Sequence, residues 1–184
     1  AVIINCDGRV VASVTSEYPI YTPKPLWSEQ DPRDWWNATI ISIKSAISKC
    51  KLQPKSIRAI GLTGQMHGSV FLDKEDRVIR RALRWNDQRT RKECAEITSA
   101  IGQNRLIEIA GNPALTGFQA PKILWLRNNE NVNYQQVRKV LLPKDYIRLL
   151  LTGEAATDCA DAAGTLLLDL TSRNWSEEIL GRLG

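Results

Sequence analysis

The sequence predicts an α/β domain in which a mixed sheet is flanked by helices, and three observations carry that expectation. Runs rich in β-formers alternate with helical runs along the whole chain, the pattern of strands covered by helices. Turn and cap residues fall at the joints between runs, at Asp7-Gly8, Asp31-Pro32, Gly111, Pro143 and Gly153. No linker divides the 184 residues, so positions 1–184 read as one domain, long enough to bury a sizeable core.

Residues 2–5 and 10–14 flank Asp7-Gly8 and predict a hairpin, because glycine accepts the positive φ of a tight turn. A loop with three prolines follows over 19–30. Asp31 as N-cap, Pro32 at the first helical position and Asp34 in the first turn open a helix. Its expected buried stripe is Trp36, Ile40, Ile43 and Ile47. Positions 57–63 read as a buried strand, 69–72 resumes extended after a glycine-bounded break, and 78–85 is extended again. Asn86 or Asp87 caps a helix to about Ser99, and a second helix over 104–110 ends at Gly111. Pro121 opens a helix through Trp125, 137–142 is a strand, and Pro143 starts a helix that Gly153 ends. A short amphipathic helix follows Trp175.

Several function classes are excluded or disfavoured. No run approaches the roughly 18 apolar residues of a membrane span, and no basic-then-apolar leader is visible. With one histidine, His67, and no CxxC among Cys6, Cys50, Cys94 and Cys159, no Cys/His metal site has a ligand set. Buried, reduced thiols in a cytoplasmic protein are expected. The net charge of +5 gathers at Arg77, Arg80, Arg81, Arg84, Arg89, Arg91 and Lys92. A basic run of this kind meets nucleic acid or forms a solvated face; without interleaved aromatics for base stacking, the solvated face is the expectation. There is no GxxxxGK[ST] loop, no GxGxxG after a strand and no GxSxG serine.

Two segments carry chemistry. In Gly64-Gln65-Met66-His67-Gly68, two glycines at a strand end let a small ligand approach the backbone. Gln65 and His67 both donate and accept hydrogen bonds, as sugar hydroxyls do, and Met66 offers an apolar surface. The same spacing also suits a plain turn with a hydrogen-bonded histidine and a core methionine. In Trp85-Asn86-Asp87, an indole face beside an amide and a carboxylate suits a sugar ring. A core tryptophan followed by a helix cap has the same sequence. Asp145, Asp158, Asp161 and Asp169 have no visible partner and are not assigned as a base.

Pro25-Leu26-Trp27-Ser28-Glu29-Gln30-Asp31-Pro32, the Gly64–Gly68 segment and Leu83-Arg84-Trp85-Asn86-Asp87-Gln88-Arg89 together resemble the FGGY carbohydrate kinase family, the xylulose kinases within it in particular. So do Gly117-Phe118-Gln119-Ala120-Pro121-Lys122-Ile123-Leu124-Trp125, Leu142-Pro143-Lys144-Asp145-Tyr146 and Asp161-Ala162-Ala163-Gly164-Thr165, in the same order and end to end. Gln119 departs from the family signature, which favours a small residue or proline there. The resemblance implies a ribonuclease-H-like (actin/hexokinase-like) domain that binds the sugar, with the family's first strand expected before Ala1. It implies D-xylulose, or another pentulose or polyol, as the sugar. ATP would be bound largely by a C-terminal kinase domain that also supplies the catalytic Asp, and Mg²⁺ would belong to the intact enzyme, with the family's phosphate and metal loop on that first strand; no catalytic residue is therefore expected in this chain and it is expected to be inactive alone. Met66 and His67 would contact the sugar with Gln65 adjacent, and Trp85, Asn86 and Asp87 would be secondary contacts. Without the first strand a sheet position is open, so marginal stability or pairing into a homodimer at that edge is a further expectation. A stand-alone, non-catalytic sugar-binding module is the other reading that the sequence leaves.

Overall fold

Asn5 Oδ1 accepts hydrogen bonds from the N–H groups of Asp7 and Arg9, both at 3.0 Å, and Gly8 takes φ 78°. The first turn therefore closes as its residues require, joining β1 (Val2–Ile4) to β2 (Val10–Ser13) in an antiparallel pair with a register shift after Ile3. This geometry comes from a computed structural model that describes residues Ala1–Gly184.

Helix α1 (Pro32–Lys49) begins as predicted: Asp31 is the N-cap, its side chain accepts from Arg33 N, and proline occupies the first turn. The face it buries is different. Trp35, Ala38, Ser42 and Ala46 are buried, whereas Trp36, Ile40, Ile43 and Ile47 lie only half-buried beside them. Small residues let the helix approach its neighbours closely, and the larger apolar side chains flank that line of contact.

Four short strands build the centre. β3 (Glu29–Gln30), inside the predicted loop, pairs with β5 (Ala82–Leu83), and β4 (Val70–Leu72) pairs with β6 (Lys139–Leu141). An antiparallel bridge between Ser69 and Leu83 joins the two pairs into one strip. Val70, Phe71 and Leu72 are all fully buried, as a strand covered on both faces must be. Alternation sends Val70 and Leu72 toward Trp35, Tyr146 and Leu149, and Phe71 toward Trp125 and Leu126. Helices α1 and α6 (Pro143–Thr152) thus cover one face, and α4 (Gln119–Asn129) covers the other.

The α/β layering holds, but every pairing is antiparallel where a mixed sheet was predicted. Parallel strands need a crossover partner, and the segment placed to supply one, residues 57–63, joins no ladder. Ile60 and Leu62 there are exposed, at 63% and 38%. This corrects the expectation of a buried strand, since an extended run without a pairing neighbour has nothing to bury it.

A second core gathers α2 (Arg91–Ile101), α3 (Gln103–Ala110), α4 and α8 (Glu177–Leu183) through Ile97, Leu106, Leu124 and Ile179. Gly111 and Gly153 end α3 and α6 in the left-handed conformation, as predicted. Helix α4 starts two residues before Pro121 and runs on to Asn129, followed by α5 (Asn131–Gln136). Helix α7 (Cys159–Ala163) is capped by Asp158, and β7 (Leu168–Asp169) pairs with β8 (Asn174–Trp175). All four cysteines are free; Cys6 and Cys159 are exposed, against the expectation of buried thiols. No helix is long and apolar enough to cross a membrane.

Candidate functional site

The Ser69–Leu83 bridge brings the two candidate segments together, because one ends just before β4 and the other starts just after β5. Main chain and side chain meet there: a β-carbon on Gly117 would lie 3.2 Å from the Trp85 carbonyl oxygen and 3.8 Å from His67 Nδ1. Gly68 is pressed to Pro143, where a β-carbon would come within 2.7 Å of its ring, so only glycine fits.

His67 takes φ 61°, a left-handed conformation that a side chain adopts at a cost. Its imidazole, half-buried, lies 4.8 Å from the Phe118 ring centre. Burial pushes the imidazole pKa below its ordinary 6.5; the Lys122 ammonium pushes the same way and the Asp161 carboxylate opposes both. A neutral ring follows, one nitrogen donating and the other accepting.

Met66 is 57% exposed and Trp85 47% exposed, so neither is a core residue, and Asn86 is exposed beside them. Gln65 is committed inward: its amide donates to Gln30 Oε1 at 2.7 Å and its oxygen accepts from Arg84 Nε at 3.3 Å. Asp87 is fully buried and caps no helix, since α2 starts after Thr90. It accepts from Ser28 N at 2.7 Å and from Arg89 Nε and Nη2 at 2.9 and 2.8 Å. Arg89 and Arg80 also meet Glu29, and the Arg89 guanidinium lies 3.6 Å from the Trp27 ring centre. The predicted solvated basic face is therefore partly an interior one: Arg80 and Arg89 are spent on buried ion pairs that tie β3, β5 and the Trp85–Asp87 turn together.

On the other side of the turn, Gly64 lies against Lys144 beside an open cavity of about 280 Å³ lined by Leu62, Thr63, Asp158 and Asp161. Lys144 Nζ donates to Asp145 at 2.5 Å, Asp158 at 2.8 Å and Asp161 at 3.1 Å. Burial works against that ammonium, but the three carboxylates hold its pKa above the ordinary lysine value. These carboxylates converge on a cation already in place, and no set of three His, Cys, Asp or Glu groups is arranged for a metal. With Lys144 Nζ at its centre, this carboxylate cluster does not fit Mg²⁺.

A model of the FGGY family of carbohydrate kinases, N-terminal domain, matches residues 1–184. The chain belongs to the FGGY family of carbohydrate kinases. The xylulose kinase of Escherichia coli (strain K12) is 45% identical over 179 residues, covering 97% of this chain and 36% of that relative. Among solved structures, a xyloylose kinase from Brucella ovis aligns over 100% of this chain and 37% of its own, with TM-score 0.91 and 42% identity. A gluconate kinase from Lactobacillus acidophilus also reaches TM-score 0.91, over 99% of this chain and 36% of its own, at 29% identity. The chain spans little more than a third of the length of the curated relatives it matches.

Within this FGGY domain, some of what organises the site was not singled out as functional from sequence. Arg84 joins Gln65 to Ser28. Gln119, noted only as a departure from the family signature, donates to the Gly68 carbonyl at 3.1 Å. Lys122 is wholly buried and donates to the His67 carbonyl at 2.9 Å and to the Gly117 carbonyl. A signal existed for Lys122: a cation among Ala120, Ile123, Leu124 and Trp125 in an apolar helix needs a buried partner.

Proposed function

We propose that this chain is the sugar-recognition domain of an ATP-dependent kinase that phosphorylates D-xylulose in the cytoplasm. One observation carries the reading: the Ser69–Leu83 bridge brings the Gly64–Gly68 and Trp85–Asp87 turns to one end of the strip, with Met66, Trp85 and Asn86 exposed and His67 half-buried. Met66 and the Trp85 indole offer apolar surface to sugar C–H groups, and Asn86 and the neutral His67 ring exchange hydrogen bonds with hydroxyls. Gln65 and Asp87 act from behind, through Arg84 and Arg89, holding the two turns in register. The xylulose kinases among the relatives supply the choice of sugar.

In this reading the domain binds and orients the sugar and shields it from water. Proton removal and phosphoryl transfer from ATP fall to the part of the kinase beyond these residues, where positioning and charge stabilisation of the phosphates are achieved. No step is assigned to a metal ion here, since Asp145, Asp158 and Asp161 are held by Lys144. The 184-residue chain by itself is accordingly expected to show no D-xylulose-dependent ATP hydrolysis.

Because the chain has a single histidine, its imidazole C–H signals report the turn without assignment. Titration with D-xylulose should give a saturable shift, with glycerol and ATP as unresponsive controls. No response to D-xylulose, or an equal one to glycerol, contradicts the reading. A response to another pentulose or to gluconate in place of D-xylulose would keep the site and change the substrate, an outcome the gluconate kinase fold match makes worth including.

A further inference from the structure

We infer that Lys122 and Gly164 are positioning residues of this site, which together hold the main chain and the imidazole of His67 in the pose that meets the sugar. The inference rests on the functional reading above and extends it to two residues that face no ligand.

Lys122 projects from α4 and is completely buried, with no carboxylate in ion-pair range. Its ammonium is met by two main-chain carbonyls, those of His67 and Gly117. Taking a cation out of water is costly, and a pair of carbonyls compensates only in part. Both carbonyls belong to the site: one is on His67 itself, and the other is on the glycine beside His67 Nδ1. The left-handed backbone of His67 is thus pinned by a hydrogen bond from a different element. Burial also pushes the Lys122 pKa down to about 7, against the pull of Asp87 and Cys94.

Gly164 closes the other side. It follows α7 with φ −73° and ψ 0°, a conformation open to any residue, so backbone freedom does not call for glycine there. Space does: a β-carbon would lie 2.6 Å from His67 Nε2 and closer still to Cδ2. The imidazole is therefore held between the Phe118 ring and the bare main chain of Gly164. A displacement of about an ångström at a ligand-orienting group is enough to cost a large factor in function.

The test compares Lys122→Met and Gly164→Ala with Leu149→Ala, which opens a cavity in the cluster of Trp35, Leu72 and Tyr146, away from the one that holds Phe118. D-Xylulose affinity is measured calorimetrically on the full-length kinase, well below each variant's melting temperature. His67 ring signals and their cross-relaxation with Phe118 are recorded on the 184-residue chain. Lys122→Met and Gly164→Ala should each weaken D-xylulose binding about tenfold or more and move the His67 signals. Leu149→Ala should lower the melting temperature and leave sugar affinity within about twofold. In a His67→Ala background, Gly164→Ala should add no further loss, because the group it displaces is gone.

Affinity within twofold of wild type in Gly164→Ala, or an undiminished further loss in the His67→Ala background, overturns the inference. Lys122→Met is at risk of not folding, and Gly164→Ala carries the test alone in that case. If the wild type binds no sugar, it is the functional reading that has failed. The positioning inference is then judged on the His67 signals: unmoved in Gly164→Ala, they overturn it; displaced from Phe118, they sustain it.

Discussion

His67 combines a left-handed backbone, a half-buried ring and a buried ammonium under its carbonyl. Its titration by proton NMR should show a midpoint below 6.5, and a midpoint at or above that value would mean the ring is not desolvated as described. The sign for stability follows. With the folded-state pKa below the unfolded one, the neutral ring's contribution is complete above pH 6.5 and is lost as the pH falls through the folded value. Asp87 belongs to the same scale. Asp87→Ala leaves Arg89 buried beside a single remaining carboxylate and should destabilise by about 3–5 kcal/mol, measured by urea unfolding. A loss under 1 kcal/mol would show instead that the pair is solvated. At this scale Met66, Trp85 and Asn86 are exposed and His67 is half-buried, which leaves them open to the contact proposed. Asp87, however, has the same residue type and position whether it caps a helix or anchors a buried arginine, and only the Ser28 and Arg89 contacts separate the two.

Among elements, β4 is the one on which the site most depends. Its three residues are fully buried, it starts two residues after Gly68, and Phe71 joins Leu83, Trp125 and Leu126 behind the Trp85 turn. Phe71→Ala should cost about 3–5 kcal/mol, read from the shift in denaturation midpoint; a cost near 1 kcal/mol would mean that this layer is loosely packed. Residues 57–63 are the opposite case, with Ile60 and Leu62 exposed and no ladder partner. The isolated chain should self-associate in sedimentation velocity as concentration rises, and Ile60→Lys with Leu62→Lys should suppress that. A monomer at every concentration contradicts it. Caps and glycine stops were legible because they are local: Asp31, Gly111 and Gly153 act within one turn of chain. The short strand β3 and the unpaired run at 57–63 were not, because pairing depends on which distant segments are present to accept it.

For the whole molecule, three hydrophobic clusters stand on the two faces of the strip and beside it. The α/β layering and the family followed from motif order, which long-range packing does not blur. The internal ion pairs that dispersed the basic run did not, since charge along a sequence says nothing about which guanidinium turns inward. The central claim is that the Gly64–Gly68 turn reads the sugar for a kinase whose phosphate chemistry lies elsewhere. Steady-state kinetics of His67→Ala in the full-length kinase test it most directly. The account expects kcat/KM for D-xylulose to fall by roughly tenfold to a hundredfold with KM for ATP unchanged; a D-xylulose kcat/KM within twofold of wild type would contradict it.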